Sequence, residues 1–156
     1  MINLRSRRGM TLIELIVATA IMMLLTYMAV PLARGRVRRE KERALREALS
    51  EIRHAINQYK DAADRNQFGP IKVDTEGYPE TLEILVDGVK VANQANEKKI
   101  RFLRRIPLDP MTNTREWGKR AMQDDPKSTA WGGQNVFDVY TTSTEKAADG
   151  TPYSEW

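Results

Sequence analysis

The sequence predicts an α+β protein in which one long N-terminal helix packs on a small antiparallel β-sheet domain. Three observations lead there. Residues 10–33 are apolar on every side of a helix, with Glu14 as their single charge. From residue 34 apolar positions recur at three- and four-residue steps up to about residue 66, and no Gly or Pro interrupts 36–68. Beyond residue 67 Gly and Pro become frequent, and short strand-like runs stand at Glu116–Met122 and Val136–Thr141.

The chain of 156 residues suits one small domain. Its average, 41% apolar and 29% charged, conceals a division between an apolar N-terminal segment and a polar remainder. The formal charge of +4 falls to +1 when Arg5, Arg7 and Arg8, the three cations of residues 1–9, are set aside. A chain so near neutrality offers no concentrated basic face, so no nucleic-acid partner is expected. Arg34, Arg36, Arg38, Arg39 and Lys41 form one local basic cluster. Its plain reading is a solvated helix stretch just past a membrane, with phosphate binding as the alternative. With no cysteine, disulfides, thiolate catalysis and Cys-based zinc sites are excluded. The single histidine, His54, falls inside the helical pattern and reads as an ordinary helix-face residue. No Ser/His/Asp set, Gly-rich phosphate loop or paired-carboxylate motif can be assembled. Asp124-Asp125 reads as a solvated turn, so an enzyme is not expected.

Residues 10–33 make about 36 Å of helix at about 1.5 Å per residue, enough for a bilayer core of roughly 30 Å. A plain anchor, a cleaved secretory signal, a buried core helix and something more specialised all compete. A core helix is a poor fit for a segment apolar all round beside a basic N-terminus. A secretory signal needs a small-x-small site after its apolar stretch; Ala18-Thr19-Ala20 comes too early, and Pro31-Leu32-Ala33 fits badly. Arg on both flanks leaves the positive-inside rule undecided. Glu14 discriminates further. An ionised acid at a helix centre in lipid costs roughly 2.5–3.5 kcal/mol, less near the interface, and still wants a cation. A cut between Gly9 and Met10 would create an α-amine one turn from Glu14, or beside it in a neighbouring copy. Gly9 also gives a protease a slim residue to grip.

The run Arg8-Gly9-Met10-Thr11-Leu12-Ile13-Glu14-Leu15-Ile16-Val17-Ala18 resembles the class III signal of type IV pilins and type II secretion pseudopilins. The resemblance implies a pilin-like fold and a prepilin peptidase that cuts after Gly9 and methylates Met10. It makes Glu14 the family's assembly acid and Pro31 its helix-kinking proline. The family usually has Phe where this chain has Met10.

The amphipathic half follows. Leu45, Ala48, Leu49, Ile52, Ala55, Ile56, Tyr59 and Ala63 form one stripe, while Arg43, Glu47, Glu51 and Lys60 fill the other face. Residues 10–65 would make about 84 Å of helix, with Pro31 as the one kink candidate and Phe68-Gly69-Pro70 as the stop. A short helix is expected over 79–86, opened by Pro79 in its first turn, with Leu82, Leu85 and Val86 facing the long helix. Residues 90–101 read as an exposed loop or helical turn, 101–110 as extended, and 124–133 as loop. The alternation over 136–141 fits a half-buried edge, and a third strand is expected near the end.

A second resemblance lies in this region. GYPETLEIL, FLRRIPLDP, a Trp-Gly, DVYTTS and the closing SEW look like the soluble domain of the major (G) pseudopilin of type II secretion. Type IV major pilins usually end in a disulfide-closed loop, which this chain has no Cys to form. The subfamily often holds a calcium ion at its C-terminal loop, which makes Asp149 and Glu155, with Glu145, the candidate ligands. A solvated acidic loop is the plainer reading. Together the resemblances imply a leader at 1–9, a membrane and assembly half at 10–33, an amphipathic half at 34–66 and a soluble region at 67–156. They imply a single-pass inner-membrane subunit with its soluble region in the periplasm. It would assemble with its own copies, minor pseudopilins and an inner-membrane secretion platform, to drive export across the outer membrane. A type IV pilin for adhesion, motility or DNA uptake is the close alternative, and a membrane-anchored periplasmic binding module the distant one.

Overall fold

A computed structural model describes residues 11–92 and 99–156, and side chains throughout that range except those of 28–34. The fold is α+β: a long N-terminal helix packs against small antiparallel two-stranded sheets. Two compact units divide the chain, one ending at Glu40 and one beginning at Lys41. Helix α1 is Leu12–Asp64. Among its described side chains in the first unit, Leu12 to Val17 and Ile21 to Tyr27 are exposed.

In the second unit the predicted stripe is the core. Leu45, Ala48, Leu49, Ile52, Ala55, Ile56, Tyr59 and Ala63 are all buried, joined by Ala62. They pack with Phe68, Leu82, Leu85, Leu103, Trp117, Val136, Val139, Ala147 and Tyr153. Burying a Leu, Ile or Val side chain contributes about 1.5–3 kcal/mol, so this stripe is one half of the packing that holds the unit together. Tyr59, Phe68 and Phe102 meet edge-on or tilted at centroid distances of 5.1 to 6.0 Å. Burial raises the Tyr59 phenol above its ordinary pKa, and the Glu80 charge adds to the shift.

Helix α1 ends at Asp64, one residue short of the expected 65, and its stop lies at Asn66 instead of Phe68-Gly69-Pro70. Asn66 takes φ 52°, its N–H bonds the Ala63 carbonyl at 2.9 Å, and the Gln67 N–H bonds the Ala62 carbonyl at 3.1 Å. That is a Schellman end with Asn in the left-handed position. The short helix α2 is Glu83–Asp87, not 79–86. Pro79 does not open it, because its side chain is fully buried and its carbonyl accepts the Val136 N–H at 2.7 Å. Leu82 and Leu85 are buried as expected.

Four short strands follow. β1 (Val89–Lys90) pairs antiparallel with β2 (Lys99–Ile100), so the loop expected over 90–101 is flanked by a strand pair. At Gly88, φ 80°, an added Cβ would lie 2.7 Å from the Ile100 carbonyl oxygen, which glycine alone avoids. β3 (Gly118–Arg120) pairs antiparallel with β4 (Asp138–Tyr140), within the two ranges predicted as strands. The expected half-exposed alternation in β4 is replaced by cover on both faces: Val139, Tyr140 and Thr141 are all buried. The reason is Arg120, whose guanidinium lies 4.1 Å above the Tyr140 ring, and the Tyr140 hydroxyl, which donates to the Thr129 carbonyl at 3.1 Å. Near the end a 3₁₀ turn, Tyr153–Glu155, stands where a third strand was expected; Pro152 makes only an isolated bridge to Lys146.

Charged ties close the second unit. Arg53 donates to Asp138 at 2.7 Å, to the Val139 carbonyl at 3.3 Å and to the Trp156 carbonyl at 2.8 Å. Arg120 donates to the Ser128 and Ser154 carbonyls at 3.0 and 3.2 Å. Arg46 stacks on the Trp156 ring at 4.1 Å, and the Tyr153 hydroxyl donates to Glu42 at 2.7 Å. These bonds lay the last turn on α1, a role a disulfide fills in many small exported domains. In the same unit Asp109, fully buried, accepts the Thr141 hydroxyl and the Met111 N–H.

An added Cβ at Gly118 would lie 2.3 Å from the Tyr140 ring. The ring is held by Arg120 and Thr129, so Gly118→Ala is expected to cost about 1–3 kcal/mol by overpacking. Denaturant unfolding of the full chain in detergent checks this; unchanged stability would show that the ring moves freely.

Candidate functional site

The candidate site is the start of α1. Thr11 precedes the first helical residue. Its hydroxyl accepts the Glu14 N–H at 3.3 Å, and its carbonyl accepts the Leu15 N–H at 3.2 Å. Thr11 is therefore the N-cap, satisfying an amide that the helix leaves without an intrahelical partner. The spacing Thr-x-x-Glu is that of a capping box, so Glu14 occupies the third helical position. A carboxylate in the first turn also faces the positive end of the helix dipole. Glu14 thus has a local reason for its place beside the one expected from a cleaved N-terminus. Thr11 was missed as a functional residue in the sequence, although the capping-box spacing signals it.

The surface behind this cap is apolar all round. Leu12, Ile13, Leu15, Ile16, Val17, Ile21, Met22, Met23, Leu24 and Leu25 are each more than half exposed. At 3.6 residues per turn they cover every direction around the axis. Two hydroxyls in this stretch are tied to the helix backbone. Thr19 donates to the Leu15 and Ile16 carbonyls at 2.9 Å, and Thr26 donates to the Met22 carbonyl at 2.8 Å. Hydroxyls tied to the preceding turn present methyl groups outward. The segment can therefore be buried in lipid or among other helices without stranding those hydroxyls.

Gly9 and Met10, the expected cut and methylation positions, lie outside the described residues. Pro31 falls within α1, and its side chain lies outside the description. Among the described residues no helix is long and apolar enough to cross a membrane. The side chains of 28–33, which complete the charge-free run, are not among them.

The other candidates fall elsewhere. Asp149 accepts the Thr151 N–H at 2.9 Å, while Glu145 and Glu155 are exposed. Among the described residues no group of three or more His or acidic side chains is placed to hold an ion. Asp124 is engaged rather than solvated: one oxygen accepts the Ala121 and Gly132 N–H groups at 2.7 and 3.1 Å. Asp125 accepts the Lys127 N–H at 2.9 Å. His54 is exposed on α1, 3.0 Å from the Gln58 amide. The open groove that it lines beside Trp156 also includes Arg46 and Arg53, both already committed to Trp156.

Residues 4–30 match the family model of the prokaryotic N-terminal methylation motif. No curated protein and no solved structure matches the chain significantly. The motif match supports a type IV pilin-like protein, a class processed by prepilin peptidase and assembled into filaments, and structural rather than enzymatic. The long helix on small antiparallel sheets is consistent with that class.

Replacing Thr11 by Val removes the cap oxygen and keeps the side-chain shape. The helix start is expected to lose about 1 kcal/mol, read as faster amide exchange at residues 13–15 in detergent micelles. Thr11→Ser should keep the parent protection, and equal exchange in Thr11→Val would remove Thr11 from the role of cap.

Proposed function

We propose that this chain is a structural subunit of a type II secretion pseudopilus and not an enzyme. Residues 1–9 are its leader, 10–33 the membrane and assembly half of the helix, 34–66 the amphipathic half and 67–156 the soluble region. After the cut at Gly9 and methylation of Met10, copies bundle through their apolar helices into a filament that helps drive proteins across the outer membrane. Minor pseudopilins and an inner-membrane platform are its further partners.

The observation that carries this reading is the exposed, all-round apolar surface from Leu12 to Leu25 behind a capped start bearing Glu14. Such a surface is far larger than the few hundred Å² that a monomer in water tolerates. Lipid covers it before assembly, and neighbouring helices cover it afterwards. The similarity of residues 77–85 and 102–110 to the major pseudopilin, together with the lack of Cys, favours a pseudopilus over a pilus. Fibres extending beyond the cell surface would favour the pilin reading instead. A monodisperse monomer that keeps its leader would favour the binding module.

In the assembled state Glu14 pairs with the Met10 amine of a neighbouring copy and acts as a register pin. Glu14→Ala is expected to insert and be cleaved like the parent. Its filaments should fall at least about tenfold, the loss that about 1.4 kcal/mol per contact produces. Shearing and immunoblotting of filaments from cells producing each form checks this. Parent-level filaments from Glu14→Ala would sink the pairing.

A further inference from the structure

The 3₁₀ turn Val73–Thr75 displays the most exposed large apolar side chain among the described residues: Val73 is 91% exposed. One exposed valine needs no explanation by itself. This one stands on a turn fixed from several sides. Thr75 is buried, and its hydroxyl donates to the Lys72 carbonyl at 2.8 Å. Lys72 pairs with Glu80 at 2.9 Å, and the Gln123 amide donates to Glu76 at 3.0 Å. The turn therefore holds Val73 outward as a knob, with exposed Asp74 beside it. A surface fixed in advance loses little conformational entropy on docking.

An open groove lies along α1, lined by Arg46, Leu49, Arg53, His54, Asn57 and Trp156, and no acid lines it. Both arginines are engaged within the chain. Arg53 pairs with Asp138, and Arg46 stacks on the Trp156 ring with Glu42 four residues before it. The groove therefore needs no outside anion for its own stability. A guanidinium stacked by its face still presents its N–H groups at its edge. The groove is a concave seat with apolar and cationic lining, the complement of a convex knob that is apolar and anionic.

Knob and groove stand at different heights. The turn runs into Gly77, where an added Cβ would lie 3.2 Å from Lys60 Nζ and 3.5 Å from an Asp64 carboxylate oxygen. That level is some ten residues beyond the middle of the groove, on the order of 15 Å along α1. Copies with parallel helices at one membrane depth do not bring knob and groove together. Copies staggered along the helix axis do. The contact joins unlike patches, so it repeats from copy to copy without closing.

We propose that the turn at 73–76 of one copy docks in the Arg46–Asn57 groove of the next copy along the filament. The inference rests on the filament reading above and names the contact that sets the stagger. Val73 packs on Trp156 and the stem of Arg46, and the Asp74 carboxylate accepts from the edge of the Arg46 guanidinium.

The chain has no Cys, so two introduced cysteines report without background. Val73 and Asn57 are both exposed, and the full-length V73C/N57C variant is produced in cells that process the parent. Sheared filaments and membrane-resident subunits are oxidised with copper phenanthroline and compared on non-reducing immunoblots. The filament fraction should give a ladder of disulfide-linked multimers. V73C alone, N57C alone and the membrane-resident pool should give none. Adding Asp74→Lys should lower the ladder by roughly two- to fivefold, the effect of one exposed charge pair. Filaments without a ladder overturn the docking and leave the filament reading standing. Products that stop at dimers, or a ladder of equal yield with Asp74→Lys, also overturn the docking. Absence of filaments from the parent overturns the filament reading and the docking with it.

Discussion

Helix α1 carries apolar surface in two patterns, and each requires a different kind of burial. From Leu45 to Ala63 the apolar positions form one stripe, which the chain covers with its own residues, among them Leu85, Val136, Val139 and Tyr153. From Leu12 to Leu25 they surround the axis, and no described residue of the chain covers them. Burying side chains of this size is worth about 1.5–3 kcal/mol each. Leaving the whole set in water would cost on the order of ten kcal/mol or more, comparable with the total stability of a domain. The second unit follows from the first pattern of burial, and the proposed membrane and filament states follow from the second.

Glu14 joins these two demands. In the monomer it stands in the first turn behind the Thr11 cap, where the helix dipole favours a negative charge. In an apolar bundle that dipole is a partial charge only, and a full carboxylate still needs a cation to offset its desolvation. A free α-amine at Met10 would provide one. The capped start and the amine are therefore compatible supports for one side chain, acting in different surroundings.

The parts of the fold legible in the sequence were those written as a long period. The stripe from Leu45 to Ala63 and the charge-free run each extend over several turns, so no single neighbour changes the reading. The Thr-Leu-Ile-Glu segment was legible as a processing signal, while its cap was hidden behind that stronger pattern. Short features resisted. Asn66 ends α1 because its side chain tolerates the left-handed conformation, yet Gly69-Pro70 three residues on is the louder punctuation. Strands of two residues, such as Val89–Lys90 and Lys99–Ile100, have no period to detect. The both-sided burial of Tyr140 depends on Arg120 and Thr129, and the tie between Arg53 and Asp138 spans 85 positions. Nothing local announces contacts of that range. Asp124 read as solvated because a carboxylate's use as a turn acceptor depends on where the backbone amides come to rest.

The central claim is that the apolar start of α1 becomes the N-terminus of an assembly subunit. Intact-mass and N-terminal peptide analysis of the protein extracted from its native membranes tests this most directly. The account predicts a chain that begins at N-methylated Met10. A chain that begins at Met1 in cells with an active prepilin peptidase, or one cut near Ala33, would contradict it.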